Sequence, residues 1–241
     1  MPVKRPRLVI NEIYHVLLRG VGDSLIFKND DDRYRTMFSL YEFNTAEPVV
    51  IRERRRRRRR KTSKEQFSED LGEVNMRKKK LVEVLAFYLM PNHIHLLLRQ
   101  VVNNGITQFM RKFGAGYATY FNRKYSRRGH LFEGRFKAVH IKDNDQLQIV
   151  FAYIHTNGVA LIEPQWKEKG VRDFKRVIKF LENYKWSSYQ DYLGKKNFPS
   201  VTKRDFLSEV MGGEKGCRKF VNDWIKYKES IADDTAEVGL E

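Results

Sequence analysis

Two histidines separated by one residue lie in an apolar run that predicts a β-strand, Pro91-Asn92-His93-Ile94-His95-Leu96-Leu97-Leu98. Because side chains alternate between the two faces of a strand, we expect His93 and His95 on one face and Ile94 on the other. Two imidazoles side by side on a rigid sheet can bind a metal ion. The same spacing also occurs on a strand whose outer face is simply solvated. The pair indicates a metal site only together with a third ligand and a group that handles substrate.

Tyr153 and Asn157 supply such groups, four residues apart on a predicted helix that begins after Asp145. Residues at this spacing stack one turn apart on the same side of a helix. Both lie at the edge of the apolar stripe of that helix, which consists of Leu147, Val150, Phe151 and Ile154. The alternative is a half-buried packing tyrosine and an asparagine that caps the helix just before Gly158.

Composition narrows the class of partner. The chain has 241 residues, 47 Lys and Arg against 30 Asp and Glu, and a net charge of +17. A polyanion is therefore the first partner to consider, and nucleic acid the first kind. A single cysteine, Cys217, excludes an internal disulfide framework, so we expect a reducing, cytoplasmic location. We expect no membrane partner, because the longest uncharged run, residues 84–98, is too short to cross a bilayer.

The most basic segment falls within residues 45–80, which have too few apolar residues to build a core. We interpret it as an inserted arm that binds phosphates without reading sequence. A merely solubilising loop and a localisation tract are the alternatives. The predicted DNA contacts of the arm are Arg54, Arg55, Arg56, Arg57, Arg58, Arg59 and Arg60.

A second basic set precedes the Tyr153 helix and is interleaved with aromatic residues, a composition typical of proteins that bind single strands. A helix with a solvated basic face and a buried aromatic face would show the same pattern. The predicted DNA-binding residues of this set are Arg111, Lys112, Arg123, Lys124, Arg127, Arg128, Arg135 and Lys137.

The order of predicted elements, with most strands early and most helices late, favours an α+β domain with one sheet. Several motifs resemble those of single-tyrosine transposases, specifically the REP-associated tyrosine transposases. They extend over most of residues 8–195 and comprise Tyr14-His15-Val16 with Arg19-Gly20, the run Leu89–Leu98, Gly129–Phe136, Tyr153-Ile154-His155-x-Asn157, and Trp186-Ser187-Ser188-Tyr189. Each motif is weak by itself, but their order and spacing together are specific.

The resemblance implies a ferredoxin-like antiparallel sheet with packed helices, in which Tyr153 is the nucleophile. It further implies a divalent ion, Mg²⁺ or Mn²⁺, held by His93, His95 and Asn157, and adds Arg19 to the DNA-binding residues. The implied activity is nicking and rejoining of single-stranded or hairpin DNA through a 5′-phosphotyrosine. We expect a monomer or homodimer with no small-molecule cofactor.

The domain division that follows is a catalytic domain over residues 1–200, with the arm inserted at about 45–80, and a helical extension over residues 201–241. Three residues depart from the Arg-Tyr-Ile-His-Leu-Asn-Pro pattern common in the family, namely Ala152, Thr156 and Gly158. Two other functions stay open. One is a single-stranded DNA- or RNA-binding protein of the same fold without catalysis. The weaker one is a zinc hydrolase, since no cysteine or carboxylate lies at ligand spacing from the His pair.

Overall fold

The computed structural model describes residues 6–49 and 79–230. In chain order its elements are β1 (Ile13–Arg19), α1 (Asp30–Glu42), β2 (Val82–Leu89), β3 (His93–Gln100), α2 (Gly105–Lys124), β4 (Lys137–Ile141), α3 (Asn144–Thr156), α4 (Trp166–Lys169), α5 (Phe174–Asn183), α6 (Tyr189–Tyr192), α7 (Asp205–Val210) and α8 (Gly213–Ser230). Short 3₁₀ turns follow β1 at Val21–Asp23 and α3 at Asn157–Leu161.

The four strands form one antiparallel sheet in the order β2-β3-β1-β4. Together with the chain order β1-α1-β2-β3-α2-β4, this is the ferredoxin-like arrangement, so the predicted fold class is confirmed. Leu17 pairs with His95 and Arg19 with His93 across β1 and β3, which places the end of β1 directly beside the histidines.

Alternation along the strands gives the sheet two buried faces. On one face, Ile94, Leu96 and Leu98 of β3 join a first core with α1 and α2. On the other, Leu97 joins a second core with α3, α5 and α8. The helices after residue 201 thus pack in the same core as α3, and Cys217 lies there, buried. The His pair opens onto the face that carries the second core.

Local sequence explains where the key elements begin. The side chain of Asn29 accepts a hydrogen bond from the Asp32 amide and caps α1, as the Asn-Asp-Asp-Asp run predicts. The side chain of Asp143 caps α3 in the same way through the Gln146 amide. Residues 131–141 have a strand-like sequence, but in the structure β4 begins only at Lys137. Among the described residues, no helix is both long enough and apolar enough to span a bilayer.

Candidate active site

His93 and His95 lie on the same face of β3, with their ring centroids 4.8 Å apart and their planes at 78°. Ile94 between them is fully buried in the first core. The predicted alternation is therefore confirmed. The two rings are close enough to share one ligand.

A chain of polar contacts orients His93. Its Nδ1 lies 2.6 Å from Oδ1 of Asn92, while the amide nitrogen of Asn92 donates to Oδ1 of Asp23 at 3.2 Å. Arg19 donates to the same Asp23 oxygen at 3.0 Å. Because an amide oxygen can only accept, Nδ1 of His93 carries the proton in this bond. The other nitrogen, Nε2, therefore has a free lone pair.

His95 is only 2% exposed, and its Nδ1 lies 2.9 Å from Nε2 of His15, which is 3% exposed. The ring planes are 5° from parallel, with their centroids 5.1 Å apart. Nε2 of His95 is buried and has no hydrogen-bond partner. An unpartnered polar atom in the interior is costly, so a ligand at this nitrogen would be stabilised.

Burial keeps these imidazoles neutral at neutral pH. It lowers the pKa of His15 and of His93 to about 4, and the pKa of His95 falls well below its ordinary value of 6.5. For His93 the positive charge of Arg19 lowers the pKa further, partly offset by Asp23, and Lys167 adds to the lowering. Metal ions bind the neutral form of imidazole, so the histidines do not have to lose a proton first.

The helix α3 lies across this face and brings Tyr153 to the histidines. The Tyr153 ring stands nearly perpendicular to two imidazoles, 5.8 Å from His15 and 5.7 Å from His95 between centroids. The side chain is half-buried at the edge of the second core, as the apolar stripe predicts. A tyrosine and the paired histidines therefore meet in one place.

Buried hydrogen bonds from His155 hold α3 against the sheet. Its Nδ1 donates to the Phe151 carbonyl at 2.9 Å, so Nε2 accepts from the Ser188 hydroxyl at 2.8 Å. Ser188 also accepts from the backbone amide of Phe87 on β2. Two predicted motifs, one around Tyr153 and one at Trp186–Tyr189, are thereby joined. The role of His155 is therefore structural.

Asn157 ends α3 as its C-cap residue, and its amide nitrogen donates to the Tyr153 carbonyl at 2.8 Å. The capping role considered as an alternative is therefore present. Because the nitrogen makes this bond, the amide oxygen is the atom that can accept or ligate elsewhere. The predicted third ligand thus lies one turn beyond Tyr153.

Gly158 follows, at a position where no larger residue fits. A Cβ at this position would lie 1.6 Å from the hydroxyl oxygen and 2.6 Å from Cζ of Tyr88. The Tyr88 ring is fixed by stacking on Tyr184 at 4.9 Å, and its hydroxyl is buried without a partner. The departure from the family pattern at this position therefore has a local cause: the backbone and Tyr88 touch.

Gly158→Ala is expected to lower the free energy of unfolding by about 1–3 kcal/mol, because the added methyl group overpacks a fixed site. Urea denaturation at neutral pH measures the change. Gly134→Ala is the matched control, since a Cβ at Gly134 meets no atom within 4 Å. Equal unfolding midpoints for the two variants would contradict the close approach to Tyr88.

His93, His95 and Asn157 fit a divalent ion, but they do not form a complete metal site by themselves. Within residues 6–49 and 79–230, no group of three or more His, Cys, Asp or Glu side chains is arranged to hold a metal. Two neutral imidazoles and one amide oxygen suit Mn²⁺ or a related ion that takes its remaining ligands from water or phosphate. The unpartnered Nε2 of His95 is the observation that favours such an ion.

Arg19, Arg135 and Lys137 line a cleft of about 260 Å³, and Arg19 pairs with His93 across β1 and β3. Leu17, Leu18, Glu133 and Gly134 complete its lining. Arg135 and Lys137 are exposed, and Lys137 pairs with Leu17 across β4 and β1. These three predicted DNA-binding residues therefore come together next to the candidate site.

The remaining predicted DNA-binding residues have other surroundings. Lys124 donates to Asp32 at 2.8 Å and Lys112 to the Thr45 carbonyl at 2.6 Å, so both make contacts within the protein. Arg127 donates to the Asn122 side chain at 3.2 Å. Arg111, Arg123 and Arg128 are exposed, as is Lys124. The run Arg54–Arg60 lies outside the described residues.

Sequence reasoning missed two residues of the site. His15 is not among the predicted site residues, yet it contacts both His95 and Tyr153. Its alternation with Leu17 and Arg19 on one strand face was a signal that could have placed it there. Lys167 on α4, whose charge lowers the pKa of both His93 and His95, had no such signal.

The geometry defines a class of α+β protein. It has a ferredoxin-like sheet with two histidines on one face, and a helix that carries a tyrosine lies over them. The family model described as "Transposase IS200 like" matches residues 45–157, a range that contains His93, His95, Tyr153 and Asn157. This match confirms the resemblance to the IS200-like transposases over that segment of the chain.

One solved structure, of a REP-associated tyrosine transposase bound to a REP hairpin, aligns with 85% of this chain and 96% of that chain. The two chains share 11% sequence identity, and the TM-score is 0.49. No curated protein matches the chain.

Proposed function

We propose that this protein is a metal-dependent tyrosine transposase that nicks and rejoins single-stranded or hairpin DNA through a 5′-phosphotyrosine intermediate. The observation that carries the proposal is the position of the Tyr153 ring, 5.7 Å from His95, on the sheet face where His95 has an unpartnered ring nitrogen. This position supports Tyr153 as the nucleophile and Nε2 of His95 as a ligand atom at the same site. The family match over residues 45–157 supports chemistry on DNA.

In the proposed reaction, the phenol oxygen of Tyr153 attacks the scissile phosphorus. A bond from phosphorus to the tyrosine oxygen forms, the bond from phosphorus to the 3′ oxygen breaks, and the strand leaves with a free 3′-OH. The phenol proton passes to solvent, and the departing 3′ oxygen takes up a proton. Because one phosphate ester replaces another, the reverse attack rejoins the strand without ATP.

A divalent ion bound by His93, His95 and the amide oxygen of Asn157 would neutralise charge on the phosphate oxygens and act there as a Lewis acid. The protein contributes the rest. Asn92 holds the His93 ring in place, and α3, anchored through His155, fixes Tyr153 above the sheet. An ordinary phenol has a pKa of about 10, so a positive environment that favours the phenolate is needed for attack near neutral pH.

The cleft lined by Arg19, Arg135 and Lys137 is the proposed path of the DNA backbone next to the site. Its three cations are opposed by the carboxylate of Glu133 and by Asp23, which pairs with Arg19, so a net positive charge remains. Phosphates bound there would extend from the histidines along β1 and β4. Exposed arginines on and after α2, and the arm that carries Arg54–Arg60, would add contacts that depend on charge rather than on base sequence.

The test is covalent capture of DNA by the full chain. A pool of DNA hairpins with randomised single-stranded flanks, labelled at the 3′ end, is incubated with the protein and Mn²⁺ and then resolved under denaturing conditions. A labelled band at the mass of the protein plus DNA is the expected result, because the 5′-phosphotyrosine retains the 3′-labelled fragment. Native retention of DNA without any covalent band would overturn the proposal and favour a binding protein of the same fold.

A further inference from the structure

His15 lies in β1, outside the segment that matches the family model, and it is buried, with only 3% of its surface exposed. Its Nε2 lies 2.9 Å from Nδ1 of His95, and the two rings are almost parallel. A hydrogen bond between two neutral imidazoles contains one proton, so one nitrogen donates and the other accepts. Which nitrogen donates determines what the far side of His95 can do.

If Nε2 of His15 donates, Nδ1 of His95 accepts and the proton of His95 must be on Nε2. That nitrogen would then be a buried donor without a partner, and it could not bind a metal ion. If Nδ1 of His95 donates, Nε2 of His95 has a free lone pair directed away from His15. Only the second arrangement makes His95 a ligand.

The neighbouring histidine shows the same arrangement with a different partner. Nδ1 of His93 donates to the side-chain oxygen of Asn92, which leaves Nε2 of His93 free. Both histidines of the pair therefore have Nδ1 engaged by a side chain of the protein. In metal sites, a hydrogen bond at the second ring nitrogen sets the tautomer and orientation of a ligating histidine.

We propose that His15 is a positioning residue that accepts a hydrogen bond from Nδ1 of His95 and thereby holds His95 in the tautomer that presents Nε2 to a divalent ion. The inference rests on the proposed function in one respect, namely that His95 is a metal ligand. His15 itself is no ligand in this arrangement, because its Nε2 accepts from His95 and its own proton is then on Nδ1, which leaves no free lone pair. Its ring also borders Tyr153, so one residue helps to place both the ligand and the nucleophile.

The first test uses the unmodified full chain without metal. Long-range nitrogen–proton NMR spectra of the ¹⁵N-labelled protein distinguish the two tautomers of each histidine, and the signals of His95 are assigned with a His95→Gln variant. We expect the proton of His95 on Nδ1. A proton on Nε2 would overturn the proposal whether or not the protein cleaves DNA.

The second test distinguishes the effect of the hydrogen-bond acceptor of His15 from the effect of its aromatic ring. His15→Phe keeps an aromatic ring beside His95 but has no acceptor, whereas His15→Gln keeps an acceptor oxygen without the ring. Titration with Mn²⁺, followed by electron paramagnetic resonance, is expected to show binding about 10–100-fold weaker for His15→Phe. Binding within a few-fold of wild type is expected for His15→Gln. Equal affinities for His15→Phe and wild type would contradict the positioning role.

The two tests also distinguish this inference from the proposed function. A protein that binds Mn²⁺ with the expected dependence on His15 but forms no DNA adduct would leave the inference intact and overturn the proposed cleavage. A protein that forms the adduct equally well in His15→Phe and wild type, with unchanged Mn²⁺ affinity, would do the reverse.

Discussion

Tyr153→Phe is expected to abolish the covalent protein–DNA adduct while leaving DNA binding nearly unchanged. The substitution removes one oxygen from a half-buried ring whose edge contacts with His15 and His95 do not require the hydroxyl. The free energy of unfolding should therefore change by no more than about 1.5 kcal/mol, the value of a single hydrogen bond. The adduct is measured by denaturing electrophoresis and binding by native gel shift.

Tyr34→Phe is the matched control, because Tyr34 is exposed on α1 and packs against Trp186. It should keep full adduct formation. Other tyrosines make poor substitutes for Tyr153: the hydroxyl of Tyr117 donates to the buried Ile26 carbonyl, and the hydroxyl of Tyr120 donates to Asp32. Adduct formation by Tyr153→Phe at the wild-type rate would rule out Tyr153 as the nucleophile.

His95→Ala is expected to remove both cleavage and Mn²⁺ binding, and His93→Ala should do the same. Loss of a residue that hydrogen-bonds a ligating histidine weakens metal binding by about 10–100-fold. Loss of the ligand nitrogen itself should weaken Mn²⁺ binding by more than that. Asn157→Ala should have a smaller effect, since water can replace an amide oxygen as a ligand. Mn²⁺ titration and the adduct assay measure the two effects on the same samples.

His130→Ala serves as the control for these variants, because His130 is exposed in the loop before β4. It should bind Mn²⁺ and cleave like wild type. Circular dichroism of each variant checks that the sheet is intact, since His95 is buried. If the wild-type protein still cleaves after exhaustive chelation, the metal assignment is wrong even though the motif is present.

Local patterns in the sequence determined the parts of the site that depend on one element at a time. Strand alternation alone placed His93 and His95 on one face with Ile94 opposite, and helical spacing placed Asn157 one turn beyond Tyr153. The order of strands and helices, with the family motifs, was enough to predict the ferredoxin-like sheet. The first two inferences need only the backbone period, whereas the ferredoxin-like sheet rests on the family resemblance as well as the chain order.

Only the tertiary structure decided which of these residues contact one another and which basic side chains make contacts within the protein. His15 and His95 are 80 positions apart in sequence, and no local period relates a residue of β1 to one of β3. Likewise Lys124, predicted to contact DNA, donates to Asp32, and Gly158 in the turn after α3 is required by Tyr88 on β2. The physical reason is that such contacts follow from how the sheet and helices pack, which depends on the whole core rather than on neighbouring residues.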